Sequence, residues 1–164
     1  MKDLQLQTVN LREITVDGTD ATDALLNILN SLEGKPITIM LGGISYAGFN
    51  FIDPFRLQEE ANLPSIILTT EKPNNQRVRS ALQHHFPDWK MRWSIYSQVK
   101  NFKAIRANPR ENPIFMDTVG LTAAEAEKIV GQLTKIGRLP EPLRVARMIA
   151  RGLTTNDYLD LLNS

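Results

Sequence analysis

The sequence predicts an α/β fold in which a mixed β-sheet is flanked by helices. Two short apolar runs, residues 36–41 and 64–70, have the length and composition of buried strands. Between them, Asp53 followed by Pro54 is typical of a helix start, because aspartate caps the first turn and proline fits its first position. Strand, helix and strand in this order indicate a β–α–β unit with parallel pairing.

The first forty residues predict a strand and a helix before this unit. Residues 11–16 alternate apolar and polar side chains, as in a half-exposed strand. Asp20, with Asp23 three positions later, marks a helix start. An apolar face follows and continues to a stop at Gly34. This face comprises Leu25, Ile28, Leu29 and Leu32.

The second half of the chain predicts helices around a hairpin. Residues 75–85 are predicted as one helix, and a second begins near Asp88, with aromatic residues at helical spacing. Residues 102–106 and 114–117 are predicted as paired strands. Thr122 and Glu125 form a capping box before another helix. We expect the last two helices at residues 140–151, ended by Gly152, and from Thr154 onward.

Length and composition favour one globular domain, residues 1–164, with an expected cytoplasmic location. The chain is 42% hydrophobic and 23% charged, and no apolar run approaches the roughly 18–20 residues of a membrane span. It has no cysteine, which excludes disulfides, thiolate nucleophiles and cysteine-based metal sites. Its two histidines, His84 and His85, exclude a histidine-rich metal site.

Charge is distributed unevenly along the chain. Residues 1–70 hold four basic and nine acidic residues, whereas residues 71–110 hold nine basic and two acidic ones. An acidic region beside a basic one is typical of a metal site next to a phosphate-binding surface. Clustering without functional meaning gives the same pattern, and both interpretations stay open.

Four aspartates lie at predicted strand or helix ends, where ligands of α/β sheets gather. They are Asp17, Asp20, Asp23 and Asp53. Two or three converging carboxylates would hold Mg²⁺ or Mn²⁺ and activate water against a phosphodiester. This hypothesis makes Asp17 and Asp20 catalytic and adds Asp53 as a third metal ligand. The alternative is that Asp20 and Asp53 are helix caps and that Asp17 opens a turn.

The glycine-rich turn, residues 41–53, is the most distinctive segment. Three glycines alternate with two aromatic residues directly after a predicted strand, and the spacing is not that of a dinucleotide-binding motif. Glycine allows close approach of a ligand, and aromatic rings stack on bases. The alternative is a structural loop whose aromatic rings cover the core. The candidate substrate-binding residues here are Gly43, Ser45, Tyr46, Gly48, Phe49 and Asn50.

Basic residues also recur on the predicted helix 140–151. Arg144, Arg147 and Arg151 follow each other at spacings of three and four, which places them on one face. Arg144 and Arg147 are therefore further candidates for substrate binding through phosphate groups. A solvated helix face is the alternative interpretation.

Three motifs in order resemble the archaeal endonuclease dU family. They are residues 17–22 (DGTDAT), 43–53 (GISYAGFNFID) and 139–146 (LPEPLRVA). The family is similar to endonuclease V, and the resemblance implies a ribonuclease H-like mixed sheet and a divalent-metal nuclease acting on deaminated, deoxyuridine-type DNA. It also implies that the family begins with about two further strands, which precede the first residues of this sequence. Either the sequence starts late, or the open sheet edge is filled by another subunit or by a rearranged N-terminal strand.

The resemblance carries over to individual residues only in part. It implies a first ligand in the absent strands, a second at Asp20 and an aspartate at the end of the next strand, where this chain has Gly42. A histidine often follows the Val-Ala pair of the third motif, and this chain has Arg147 there. One of three expected carboxylates is therefore present.

Three functional hypotheses follow. The first is a metal-dependent endonuclease acting on deaminated DNA, intact or impaired by its missing carboxylates. The second is a non-catalytic module that binds DNA or RNA. The third is a structural protein that forms a homodimer through an open sheet edge.

Overall fold

A computed structural model describes residues 4–154. Within this range the chain forms six helices and six strands. In chain order these are α1 Ala21–Asn30, β1 Ile39–Leu41, β2 Ser45–Tyr46, β3 Asn50–Phe51, α2 Pro54–Ala61, β4 Ser65–Thr69, α3 Asn75–His85, α4 Trp89–Tyr96, β5 Lys103–Ile105, β6 Ile114–Val119, α5 Ala123–Leu133 and α6 Glu141–Thr154. Among the helices in this range, none combines the length and apolar character that a bilayer crossing needs.

The main sheet has four strands in the order β1-β4-β6-β5. β1 and β4 are parallel, with Ile39 opposite Ser65, as the β–α–β interpretation predicts. β6 runs antiparallel to both β4 and β5, and the β5–β6 pair is the predicted hairpin. The prediction of a mixed α/β sheet flanked by helices is confirmed.

Helices cover both faces of this sheet. In β4, Ile66 and Leu68 pack into a cluster with side chains of α5 and α6, whereas Ile67 packs into a second cluster with side chains of α1 to α4. These three residues have no exposed surface. Burial on both faces explains why this strand is a continuous apolar run in the sequence rather than an alternating one.

Two helix starts form as their sequences predict. The Asp53 carboxylate accepts hydrogen bonds from the backbone N–H groups of Phe55 and Arg56, with Pro54 at the first helical position of α2. At α5, the side chains of Thr122 and Glu125 form the reciprocal bonds of a capping box. In both cases the capping side chains keep their bonds to the neighbouring backbone, as these local patterns predict.

Other predicted elements differ from the structure. Residues 11–16 are not a strand, and Leu11 and Val16 are 53% and 73% exposed, because the segment lies outside the sheet and has no ladder partner there. Helix α1 ends at Asn30 rather than at Gly34. Helix α6 continues through Gly152, since glycine weakens a helix by about 1 kcal/mol without ending it. The helix predicted from Thr154 onward lies outside the described residues.

The position of β4 gives a first prediction. Ile67→Ala removes a fully buried side chain from the central strand, and we expect it to lower the free energy of unfolding by about 2–5 kcal/mol. Ile37→Ala is the matched control, because Ile37 is 86% exposed, and its effect should stay within about 0.5 kcal/mol. Urea unfolding followed by circular dichroism measures both. Equal effects would contradict the assignment of β4 to the core.

Candidate functional site

The glycine-rich turn connects β1 to α2 and contains a small hairpin. β2 and β3 pair antiparallel around a loop of Ala47, Gly48 and Phe49. Ala47 and Gly48 have φ values of 41° and 82°, in the left-handed region. The sequence predicts only a loop here, because an alanine at a left-handed position is not among the usual hairpin signals.

Asp17 holds the tip of this hairpin. Its Oδ1 accepts a hydrogen bond of 2.8 Å from the Phe49 N–H, and its own N–H donates to the Ala47 carbonyl at 2.8 Å. A Cβ at Gly48 would lie 2.1 Å from Asp17 Oδ1, so this approach requires glycine. Asp17 itself has a φ of 55°, which aspartate tolerates better than most residues. The carboxylate therefore has a structural role in this turn.

Asn50 joins the hairpin to the segment before α1. Its side chain is fully buried, and its Oδ1 accepts a hydrogen bond of 3.0 Å from the Ala21 N–H. Its Nδ2 donates to the Thr15 carbonyl at 2.9 Å and to a carboxylate oxygen of Asp20. Every polar atom of the Asn50 side chain thus has a partner, as buried amides require. Asn50 belongs to the interior and not to an exposed binding surface.

Asp20 turns back toward Thr15 instead of capping α1. Its oxygens accept from the Thr15 N–H at 3.2 Å and from the Thr15 hydroxyl at 2.9 Å, and it makes no side-chain cap bond to its helix. The Asn50 amide satisfies the Ala21 N–H in its place. Hydrogen bonds from Asn50 and then from Thr15 lower the pKa of Asp20 below its ordinary value, because they stabilise the charged form.

Arg92 fixes the same region from the side of α4. Its guanidinium donates to the Gly18 and Phe49 carbonyls, both at 2.9 Å, and to the Asp88 carboxylate at 2.9 and 3.0 Å. It also lies 4.4 Å from the centre of the Phe86 ring. The Arg92 bond lowers the pKa of Asp88. The sequence groups Arg92 with the basic segment. Its spacing of four from Asp88 indicates their ion pair but not the burial of Arg92.

Beside this network, a shallow cleft of about 150 Å³ opens between the start of α1, the hairpin and α4. Asp53 lines it but points its Oδ1 at the first turn of α2. A cleft of this size is below the roughly 300–1,000 Å³ of small-molecule pockets. The remaining lining residues are Gly18, Thr19, Thr22, Phe49, Phe51, Arg56, Met91, Arg92 and Ile95.

The residues present do not fit a divalent metal ion. Among residues 4–154, no group of three or more histidine or carboxylate side chains is placed to hold one. Asp17, Asp20 and Asp53 each accept hydrogen bonds from backbone N–H groups instead. These bonds fix the orientation of the three carboxylates, but each carboxylate keeps further lone pairs, so the arrangement is decided by the absence of a group of three among the described residues. No catalytic step through a metal follows from this arrangement.

The two aromatic residues of the turn pack inward. Phe49 contacts the rings of Phe51 and Phe86 edge to face, with centroids 6.2 and 5.4 Å apart. Tyr46 also packs against the core, and its hydroxyl donates to the Gly43 carbonyl at 3.2 Å. Burial raises the pKa of Tyr46 to about 12. Ser45 and Gly48 are exposed, and the Ser45 hydroxyl donates to the Gly48 carbonyl.

The two candidate arginines of α6 have different surroundings. Arg144 is bound by the Glu141 carboxylate through bonds of 2.7 to 3.0 Å. Arg147 is half-buried, and its guanidinium lies over Gly42, where a Cβ would be 3.3 Å from one terminal nitrogen. In the part of the chain that the structure describes, no carboxylate lies within 4.0 Å of Arg147. Its positive charge lowers the pKa of Tyr46 and so opposes the larger effect of burial.

The Asp20 network predicts a dependence of stability on pH. The folded-state pKa of Asp20 is lowered, so its contribution is complete above about pH 4 and is lost as the pH falls through the folded-state pKa. We expect Asp20→Asn to reduce this acid-induced loss, measured as urea midpoints between pH 2 and 6. Asp23→Asn is the control, because Asp23 lies outside this network and its ion pair with Arg56 is exposed and contributes little to stability. Parallel pH profiles for wild type and Asp20→Asn would contradict this role.

Comparison with known proteins places the chain among archaeal relatives. It is 39% identical to a UPF0215 protein of Thermococcus gammatolerans, over 89% of this chain and 73% of the relative. A UPF0215 protein of Methanosarcina mazei is 38% identical, over 88% and 74%. The crystal structure of a protein of unknown function from Archaeoglobus fulgidus is similar, with a TM-score of 0.77, 30% identity and coverage of 87% and 79%.

The resemblance seen in the three sequence motifs is confirmed. The family model described as endonuclease dU matches residues 1–154. Its match includes the hairpin, the Asp17–Asp20 segment and helix α6. The chain belongs to the endonuclease dU family.

Proposed function

We propose that this protein binds nucleic acid, with DNA of the deaminated, deoxyuridine type as its substrate class, through phosphate contacts rather than through a metal centre. The observation that carries this proposal is that Asp17 and Asp20 accept hydrogen bonds from the backbone N–H groups of Phe49 and Thr15 and belong to no group of three metal-ligating side chains among residues 4–154. Family membership supports a nuclease-like relation to nucleic acid. The engaged carboxylates favour binding over metal-assisted cleavage by the described residues.

Surface charge supports the same proposal. Of the nine basic residues between positions 71 and 110, Arg92 alone is buried. The other eight are exposed and available to phosphates. They are Lys72, Arg77, Arg79, Lys90, Lys100, Lys103, Arg106 and Arg110.

A metal-dependent endonuclease is the second candidate, and the description of the matching family favours it. In that case Asp17, Asp20 and Asp53 would have to move together around Mg²⁺ or Mn²⁺, because they do not form a three-carboxylate group in the described residues. Substrate or metal binding would then rearrange the hairpin, because Asp17 holds its tip. This candidate therefore predicts a conformational change as well as cleavage.

One experiment separates the two candidates. A fluorescent duplex with a single deoxyuridine, and its undamaged counterpart, are incubated with the protein in Mg²⁺, Mn²⁺ or EDTA. Anisotropy measures binding, and a denaturing gel measures nicking. We expect binding in all three conditions, weakening steeply as salt rises, and no nicking above the protein-free control.

Two variants complete the design. If nicking occurs in Mn²⁺, is lost in Asp20→Asn and persists in Asp23→Asn, the endonuclease candidate is correct and the binding proposal is wrong. Circular dichroism establishes that both variants are folded. Absence of binding at low salt to either duplex contradicts the proposed function itself.

A further inference from the structure

We propose that the Arg147 guanidinium, which lies against the backbone of Gly42 at the end of β1, is a phosphodiester-binding group. This inference rests on the proposed binding of nucleic acid and names the side chain that makes the contact. It concerns Gly42 and Arg147, which lie close together in the structure.

First, Gly42 leaves space for the Arg147 guanidinium. Gly42 directly follows β1, and a Cβ built on it would lie 3.3, 3.5 and 3.8 Å from three atoms of the Arg147 guanidinium. The absence of a side chain at position 42 therefore lets the guanidinium lie close against the backbone. A carboxylate at this position would lie directly beside the guanidinium and pair with it.

The second step is the charge balance around Arg147. On the same helix, Glu141 neutralises Arg144, whereas within residues 4–154 no acidic side chain pairs with Arg147. The neighbouring Tyr46 hydroxyl donates to the Gly43 carbonyl, and burial keeps this phenol protonated. It supplies no negative charge. A half-buried guanidinium in these surroundings attracts an anion and repels a divalent cation.

The third step concerns the kind of anion and its position. A guanidinium presents a planar fork of N–H donors that matches two oxygens of a phosphate. Arg147 lies beyond the carboxyl end of β1, and β4 ends on the same side because the two strands are parallel. Ligands of α/β sheets bind at this end. The family relation makes a phosphodiester of nucleic acid the expected anion.

The test measures affinity for the deoxyuridine duplex as a function of KCl, in EDTA, for wild type and three arginine variants. Arg147→Ala should weaken binding and reduce the slope of log K against log salt by about 0.9, the value for one lost phosphate contact. Arg144→Ala is the matched control, since Glu141 already engages this side chain, and it should leave the slope unchanged. Arg147→Lys keeps the charge and should keep the slope.

A second pair of variants tests the geometry without removing Arg147. Gly42→Asp places a carboxylate beside the guanidinium and should reduce the slope as Arg147→Ala does. Gly42→Asn has nearly the same size without the charge and should retain the slope. If Arg147→Ala and Gly42→Asp bind like wild type, the inference is wrong and the proposed function stands. If wild type does not bind, the proposed function has failed.

Discussion

The buried amide of Asn50 is the interaction on which the candidate site depends. One side chain satisfies the first N–H of α1, a carbonyl before it and a carboxylate oxygen of Asp20. A buried amide without these partners would cost about 1–3 kcal/mol for each unsatisfied group. The hairpin and the start of α1 are therefore held in one arrangement. In that arrangement the carboxylates face donors of the protein itself.

Two of the three family motifs contact each other around Asn50, and the third lies elsewhere in the fold. The DGTDAT and GISYAGFNFID motifs meet in the fold, because Asp17 binds the backbone of Phe49 and Asp20 binds Asn50. Their co-occurrence in the sequence has a structural explanation that needs no ligand. The third motif leads into α6. Arg147 directly follows this motif, and its guanidinium lies against the backbone of Gly42. At this contact the Arg147 guanidinium has no acidic partner within 4.0 Å among the described residues.

Sequence reasoning predicted the parts of the fold that depend on local signals. The Asp53 and Thr122 caps and the apolar run of β4 formed as expected, because each is determined by neighbouring residues or by burial on two faces. The prediction of a strand at residues 11–16 was wrong. Alternation shows that a strand is compatible with the sequence and not that a partner strand exists. The β2–β3 hairpin was missed because its left-handed alanine is unusual.

The candidate site was predictable in location but not in chemistry. The glycine-rich turn and Arg147 were identified from spacing, whereas Asp17, Asp20 and Arg92 each have partners 30 to 74 positions away in the sequence. Hydrogen bonds over such separations determine whether a carboxylate is a ligand or a structural acceptor. The sequence contains no signal for them.

Titration of ¹⁵N-labelled protein with Mn²⁺ tests most directly whether these carboxylates are structural. A bound paramagnetic ion broadens the amide signals of nearby residues, so the signals of Thr15, Asp20 and Phe49 report on the network. The account predicts that these signals broaden no more than those of distant exposed residues at one equivalent of Mn²⁺. Selective broadening centred on Asp17 and Asp20 would contradict it and would restore a metal centre to this fold.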